Sequence, residues 1–211
     1  AGVYLEADFV HASEDDLEHA VAPTDLVRPD DAPAYDASDV HRWVPGENLA
    51  TGKETHLPAA AVQFPQPGET LVPAITTGLG LGSSTVDALV SGLTEVIERD
   101  ATMLAWYSTF EPLGLSVETD AFETLERRAQ SEGLSVTPLL VTQDIDVPVV
   151  AVAVHRESDA LDDDKAISPG DDAWPAFAVG SAAGLDAEAA ATSALEEAIQ
   201  NWMELRSLGP D

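Results

Sequence analysis

From residue 84 onward apolar side chains recur at helical spacing: Val86, Leu89, Val90, Leu93, Val96 and Ile97 return every three or four positions. Ser84 stands before them as an N-cap, with Asp87 as its capping partner three residues on, so a helix is predicted from there to about Tyr107. A second helix is predicted over roughly Asp120–Ser131, with Gly133 as its stop. Two β-branched, strand-length runs follow, LSVTPLLVTQ from Leu134 and VPVVAVAVHR from Val147. Asp144-Ile145-Asp146 between them suggests a hairpin. Residues 157–173 read as a solvated loop and Trp174–Val179 as a third strand. Asp186 caps a last helix that reaches about Leu205. The pattern is weaker upstream. Residues 1–45 are irregular and acid-rich, with a short strand at Leu5–Val10 and a turn at Asp30-Asp31-Ala32-Pro33. Arg42–Pro65 reads as a hairpin with a Pro45-Gly46 turn and a Thr51-Gly52 turn. Helices and strands mix without a regular βαβ rhythm, so the fold class is α+β, or mixed α/β.

Two segments match at an offset of 102 residues, GLGLGSSTVDALVSGLTEVIER from Gly78 and GSAAGLDAEAAATSALEEAIQN from Gly180. Gly78 pairs with Gly180, Gly82 with Gly184, the N-caps Ser84 with Asp186, Ser91 with Ser193, Glu95 with Glu197 and Glu98 with Gln200. The period is too long for a solenoid and fits two related halves, each a Gly-rich strand exit followed by a helix.

Charge changes the picture most. There are 39 Asp and Glu against 9 Lys and Arg, a formal charge of −30, and the acids are scattered along the chain. Such a chain repels itself in dilute buffer. In molar salt the Debye length falls to about 3 Å and the repulsion fades, so the composition reads as halophilic adaptation. A docking surface for a basic partner would concentrate its acids instead. Nucleic acid is a poor partner, because no basic patch exists to replace counterions on phosphate. No run approaches the roughly 18 apolar residues of a membrane span, and no signal-peptide pattern opens the chain, so the expected location is cytoplasmic. The absence of cysteine excludes a disulfide framework, a thiolate nucleophile and a Cys zinc site.

On the first helix Ser91, Glu95 and Glu98 share a sector roughly 60° wide, opposite the apolar stripe. The plain reading is a wet acidic face. Three features point elsewhere. Trp106 continues the acidic sector, the small residues Ala88 and Gly92 flank it, and the last helix repeats it with Ser193, Glu197 and Gln200. Two facing helices that each offer a carboxylate, with a carboxylate or amide one turn on, suit Mg²⁺, which takes oxygen ligands and bridges to phosphates. The Gly-rich turns before both helices could bring backbone N–H groups to a phosphate. There is no GxxxxGK[ST] P-loop and no GxSxG elbow, and Gly78, Gly80 and Gly82 lack Rossmann spacing. The five histidines are dispersed.

Ser91-Gly-Leu-Thr-Glu95-Val-Ile-Glu98-Arg99-Asp100 resembles the signature of the YcaO family. So do the preceding Thr77–Gly82 and the later Ala194-Leu195-Glu196-Glu197-Ala198-Ile199-Gln200. Trp43, Gly46, Leu49, Thr51-Gly52 and Pro58 fit the family's lead-in. The similarity runs from about residue 42 to 206. It implies a YcaO-like ATP-binding core over 42–211, with two pseudo-symmetric strand–helix halves and an acidic N-terminal segment, 1–41, belonging to the same domain. It further implies that Glu95, Glu98, Glu197 and Gln200 ligate Mg²⁺ at ATP phosphates, and that Ser91 and Arg99 contact nucleotide or brace the glutamates. The implied activity is ATP- and Mg²⁺-dependent phosphorylation of peptide backbone amides for azoline or thioamide formation. The implied partners are a peptide or protein substrate and a TfuA-like sulfur-delivery protein, with a homodimer open. No catalytic side chain is assigned. The alternative is a non-catalytic nucleotide- or partner-binding module of the same fold. Leu81 and Trp202 depart from the family, standing where many members carry a basic residue. Members are longer, so a fragment is expected.

Overall fold

The computed structural model describes residues 8–63, 71–73, 75–156 and 175–208 of the 211-residue chain. Its contacts divide the chain into two units, Ala1–Thr76 and Thr77–Asp211.

The first unit holds an antiparallel sheet in the order β1 (Val10–Ala12), β2 (His41–Asn48), β3 (Lys53–Pro58), followed by the single-turn helix α1 (Ala59–Val62). Trp43 is fully buried, and its indole N–H donates to the Ala12 carbonyl at 3.0 Å. The expected hairpin is present, but the expected Pro45-Gly46 turn is not. Both residues lie inside β2, opposite His56 and Thr55. Strand β1 pairs only with His41–Trp43, so Pro45 sits where β2 has a single neighbour, the edge situation that tolerates proline. The chain reverses instead at Asn48–Gly52. There the Asn48 side chain accepts from the N–H groups of Ala50 and Thr51, and Gly52 supplies a φ of 67°. Strand β1 begins where the predicted Leu5–Val10 strand ends, and Leu5–Ala7 lie outside the described residues.

The second unit has an antiparallel sheet in the order β4 (Leu113–Gly114), β5 (Leu134–Leu140), β6 (Val149–Arg156), β7 (Phe177–Ala183). Three helices accompany it: α2 (Thr85–Tyr107), α3 (Asp120–Ser131) and α4 (Ala187–Ser207). Strand β6 is apolar on both faces because both faces are covered. Val150, Val152 and Val154 pack with Phe122 of α3 and with Ala191, Leu195 and Trp202 of α4. Val149 and Ala151 pack on the other side with Ile97, Ala101 and Ala105 of α2. The sheet is thus the middle of three layers. Both caps form as expected: Ser84 accepts from the Asp87 N–H at 3.1 Å, and Asp186 accepts from Glu188 and Ala189.

Strand β7 differs from expectation. It runs over Phe177–Ala183, not Trp174–Val179; Trp174 and the predicted 157–173 loop lie outside the described residues. Its second half, Gly-Ser-Ala-Ala, has little strand propensity of its own. Close helix packing sets those residue types. A Cβ at Gly180 would lie 2.3 Å from the Ala198 nitrogen and 2.4 Å from the Ala194 oxygen, so α4 rests backbone-to-backbone on β7. The first half repeats this approach. A Cβ at Gly92 would lie 2.6 Å from the Gly78 oxygen, and Gly92 and Gly78 are the counterparts of Ala194 and Gly180 at the 102-residue offset.

Candidate functional site

The amphipathicity of α2 runs opposite to the usual sense. Val86, Leu89, Val90, Leu93, Val96, Met103, Leu104 and Tyr107 are exposed, while Gly92 and Ala101 are buried and Glu95 and Glu98 are half-buried. Glu95 and Glu98 of α2 are therefore half-buried on the sheet side, while the apolar stripe, except Ile97, faces outward, which overturns the plain reading of a wet acidic face.

Strand β7 stands at one end of its sheet, with no further strand beside it among the described residues. Val179 and Ala183 pack toward α2, and Ala178 and Ala182 toward α4. The two helices therefore flank that edge from opposite faces, and their side chains curl round to it. Ser181 donates its hydroxyl to Glu98 Oε1 of α2 at 2.7 Å and its backbone N–H to Glu197 Oε2 of α4 at 3.0 Å. Ala183 gives its backbone N–H to Glu98 as well. One turn further along α4, Asn201 Nδ2 donates to the Val179 carbonyl at 2.9 Å. Burial pushes the Glu98 carboxyl above its ordinary pKa; the Ser181 hydrogen bond opposes this, and the negative charge of Glu197 adds to it. Two carboxylates from separate helices thus converge on one serine, Glu98 half-buried and Glu197 exposed.

The other expected site residues have their own partners. Glu95, one turn before Glu98, holds Arg99 at 3.0 Å. Gln200, one turn after Glu197, donates to Glu204 at 3.1 Å. Ser91 is exposed a turn before Glu95, and its carbonyl accepts from the Thr94 hydroxyl. Among the described residues no group of three or more His, Asp or Glu forms a ready-made metal cage. Two converging carboxylates still fit Mg²⁺, which is held by one or two protein oxygens and completed by phosphate and water. Ser181 and Asn201 were not singled out by the sequence reading. At the repeat offset they match Leu79 and Arg99, so the repeat carries no likeness to mark them.

Fold and carboxylate pair together define an α+β architecture with helix-borne carboxylates suited to a hard cation at a sheet edge. The family model described as YcaO cyclodehydratase, ATP- and Mg²⁺-binding, matches residues 3–210. The chain belongs to this YcaO family. A protein of Methanothermobacter thermautotrophicus is 36% identical over 121 residues, which are 52% of this chain and 30% of that protein. The heterocyclase TruD superposes with a TM-score of 0.76 at 21% identity, covering 97% of this chain and 32% of its own. YcaO from Methanopyrus kandleri, solved with AMPPCP and Mg²⁺, superposes with a TM-score of 0.70 at 24% identity, covering 97% of this chain and 49% of its own. The chain therefore covers 30% to 49% of the length of these proteins. The α+β class read from the sequence agrees with this fold. None of the described helices is long and apolar enough to cross a membrane.

Proposed function

We propose that the carboxylate pair at the β7 edge binds ATP with Mg²⁺, and that the protein uses it to activate peptide backbone amides. The observation that carries this is the convergence of Glu98 and Glu197 on Ser181. Family membership supports the nucleotide and the metal.

Glu98 and Glu197 would hold the ion, with Glu95 and Gln200 completing its surroundings from the adjacent turns. Arg99 would release Glu95 toward the metal and turn to phosphate oxygen, and Ser91 would face the same side one turn earlier. Bound Mg²⁺ supplies positive charge that offsets both the carboxylates and the phosphates. The peptide amide oxygen attacks the γ-phosphorus, ADP leaves, and the amide oxygen carries the phosphoryl group. A neighbouring Cys, Ser or Thr side chain adds to the amide carbon and loses its proton. Phosphate then leaves with the original oxygen and the amide nitrogen gives up its proton, giving an azoline, so ATP becomes ADP and phosphate while the peptide loses the elements of one water. An external sulfur nucleophile in place of the side chain would give a thioamide. A TfuA-like partner would deliver it.

The test is turnover in molar KCl with Mg-ATP and peptides containing Cys, Ser or Thr. One phosphate released per water lost from the peptide is the expected result. Nucleotide binding without any change in peptide mass would leave the alternative, a non-catalytic nucleotide-binding module.

A further inference from the structure

We propose that the outward face of α2 is an interface between two copies of this chain, paired helix to helix in antiparallel sense. With Val86 as position a of a heptad, the a and d positions are Val86, Leu89, Leu93, Val96, Asp100, Met103 and Tyr107. All seven are exposed, the six apolar ones by between 42% and 83%. The seam they form runs for about 32 Å at the rise of a helix. Single exposed apolar residues are ordinary on a protein surface, but a contiguous stripe of this length marks a contact. Its 3.5-residue repeat is matched by a second helix crossing at a shallow angle, not by a strand or a small molecule. The pairing leaves the other side of α2 open, where Glu98 meets Ser181.

Charge identifies the occupant. Helix α2 carries four carboxylates, but Asp87, Glu95 and Glu98 fall at b, c and f positions and only Asp100 lies in the seam. The exposed e and g positions beside the seam are Thr85, Val90, Arg99, Leu104 and Trp106, none of them acidic. Charges at e and g ordinarily select the partner. A basic partner would be met there by acids, and this chain has 39 Asp and Glu against 9 Lys and Arg to supply them. Their exclusion from this strip suits a partner as acidic as the chain itself. A second copy is such a partner, and a two-fold axis sets the stripe against its own equal. Asp100 decides the direction. Parallel pairing would put the two Asp100 side chains against each other inside the seam. Antiparallel pairing can set Leu93 against Val96, Val86 against Met103 and Leu89 against Asp100, with the two Asp100 residues about 16 Å apart along the axis.

The seam is short and interrupted by Asp100, so dissociation is expected on the order of 10 µM and dilute protein is monomeric. Sedimentation equilibrium of the full chain in molar KCl tests this. Wild type is expected to pass from monomer near about 0.5 µM to dimer near about 100 µM. Leu93→Glu is expected to stay monomeric throughout, while its helix content and its thermal midpoint in dilute solution match wild type. Val27→Glu, which changes an equally exposed residue outside α2, is expected to dimerise as wild type does. The chain has no cysteine, so introduced thiols report the direction. Leu89→Cys and Asp100→Cys proteins are expected to form a disulfide when mixed under oxidising conditions, and neither with itself. A wild type that is monomeric at every concentration, or a Leu93→Glu protein that dimerises normally, overturns the interface. Asp100→Cys that cross-links to itself as readily as to Leu89→Cys overturns the antiparallel pairing.

Discussion

Ser181 bonds two carboxylates at once, one from each of the helices that flank the β7 edge. Its neighbour Gly180 sets how closely α4 can lie. Adding one methyl there places a carbon 2.3 Å from a backbone nitrogen, which the helix can relieve only by moving away. Gly180→Ala is expected to destabilise the fold by about 3 kcal/mol. Gly114→Ala, where a Cβ meets nothing within 4 Å, is expected to change it by less than about 0.5 kcal/mol. Denaturant unfolding in molar KCl measures both, and equal effects would mean that the contact does not hold α4 in place. At this scale the sequence was only partly legible. Glu98 and Glu197 stood out because the repeat pairs Glu95 with Glu197 and Glu98 with Gln200 on two helices. Ser181 and Asn201 did not, because a lone polar residue on a strand or in a helix has no period of its own.

The elements themselves were easier to read than their orientation. Both long helices, α3 and the β5–β6 pair fall where caps, period and β-branched runs put them. Pro45-Gly46 misled because turn chemistry was read without the partner strand that accommodates it. The end of β7 misled because its small residues answer to α4 and not to strand propensity. The facing of α2 was the hardest matter, since a hydrophobic stripe ordinarily points inward. Here Ala101 and Gly92 pack inward and Leu93, 50% exposed, points out. Leu93→Gln is therefore expected to change stability by less than about 0.5 kcal/mol. Ala101→Gln, which forces a larger amide into the α2–sheet contact, is expected to cost about 2 kcal/mol or more. If thermal unfolding ranks the two variants the other way round, α2 faces its sheet with the apolar stripe.

At the scale of the whole molecule, a charge of −30 is the dominant property. Self-repulsion of scattered carboxylates weakens as salt rises. The thermal midpoint is accordingly expected to fall steeply below about 0.5 M KCl. A midpoint unchanged between about 0.1 and 3 M KCl, a range over which the Debye length falls from about 10 Å to below about 3 Å, would remove the halophilic reading. The same charge makes nucleotide binding by this protein a demanding proposition, because an acidic surface repels phosphate unless a cation intervenes. The account therefore stands or falls on Glu98 and Glu197. The most direct measurement is calorimetric Mg-ATP binding in molar KCl, comparing wild type with the protein carrying Glu98→Gln and Glu197→Gln together. The expected result is a Mg²⁺-dependent affinity that falls at least about tenfold in the double variant, the loss expected of charged ligands and of the order of 1.4 kcal/mol or more. Its thermal midpoint should stay level or rise, because the two amides no longer repel. Unaltered Mg-ATP affinity in the double variant would contradict the account and leave these glutamates as ordinary acidic surface.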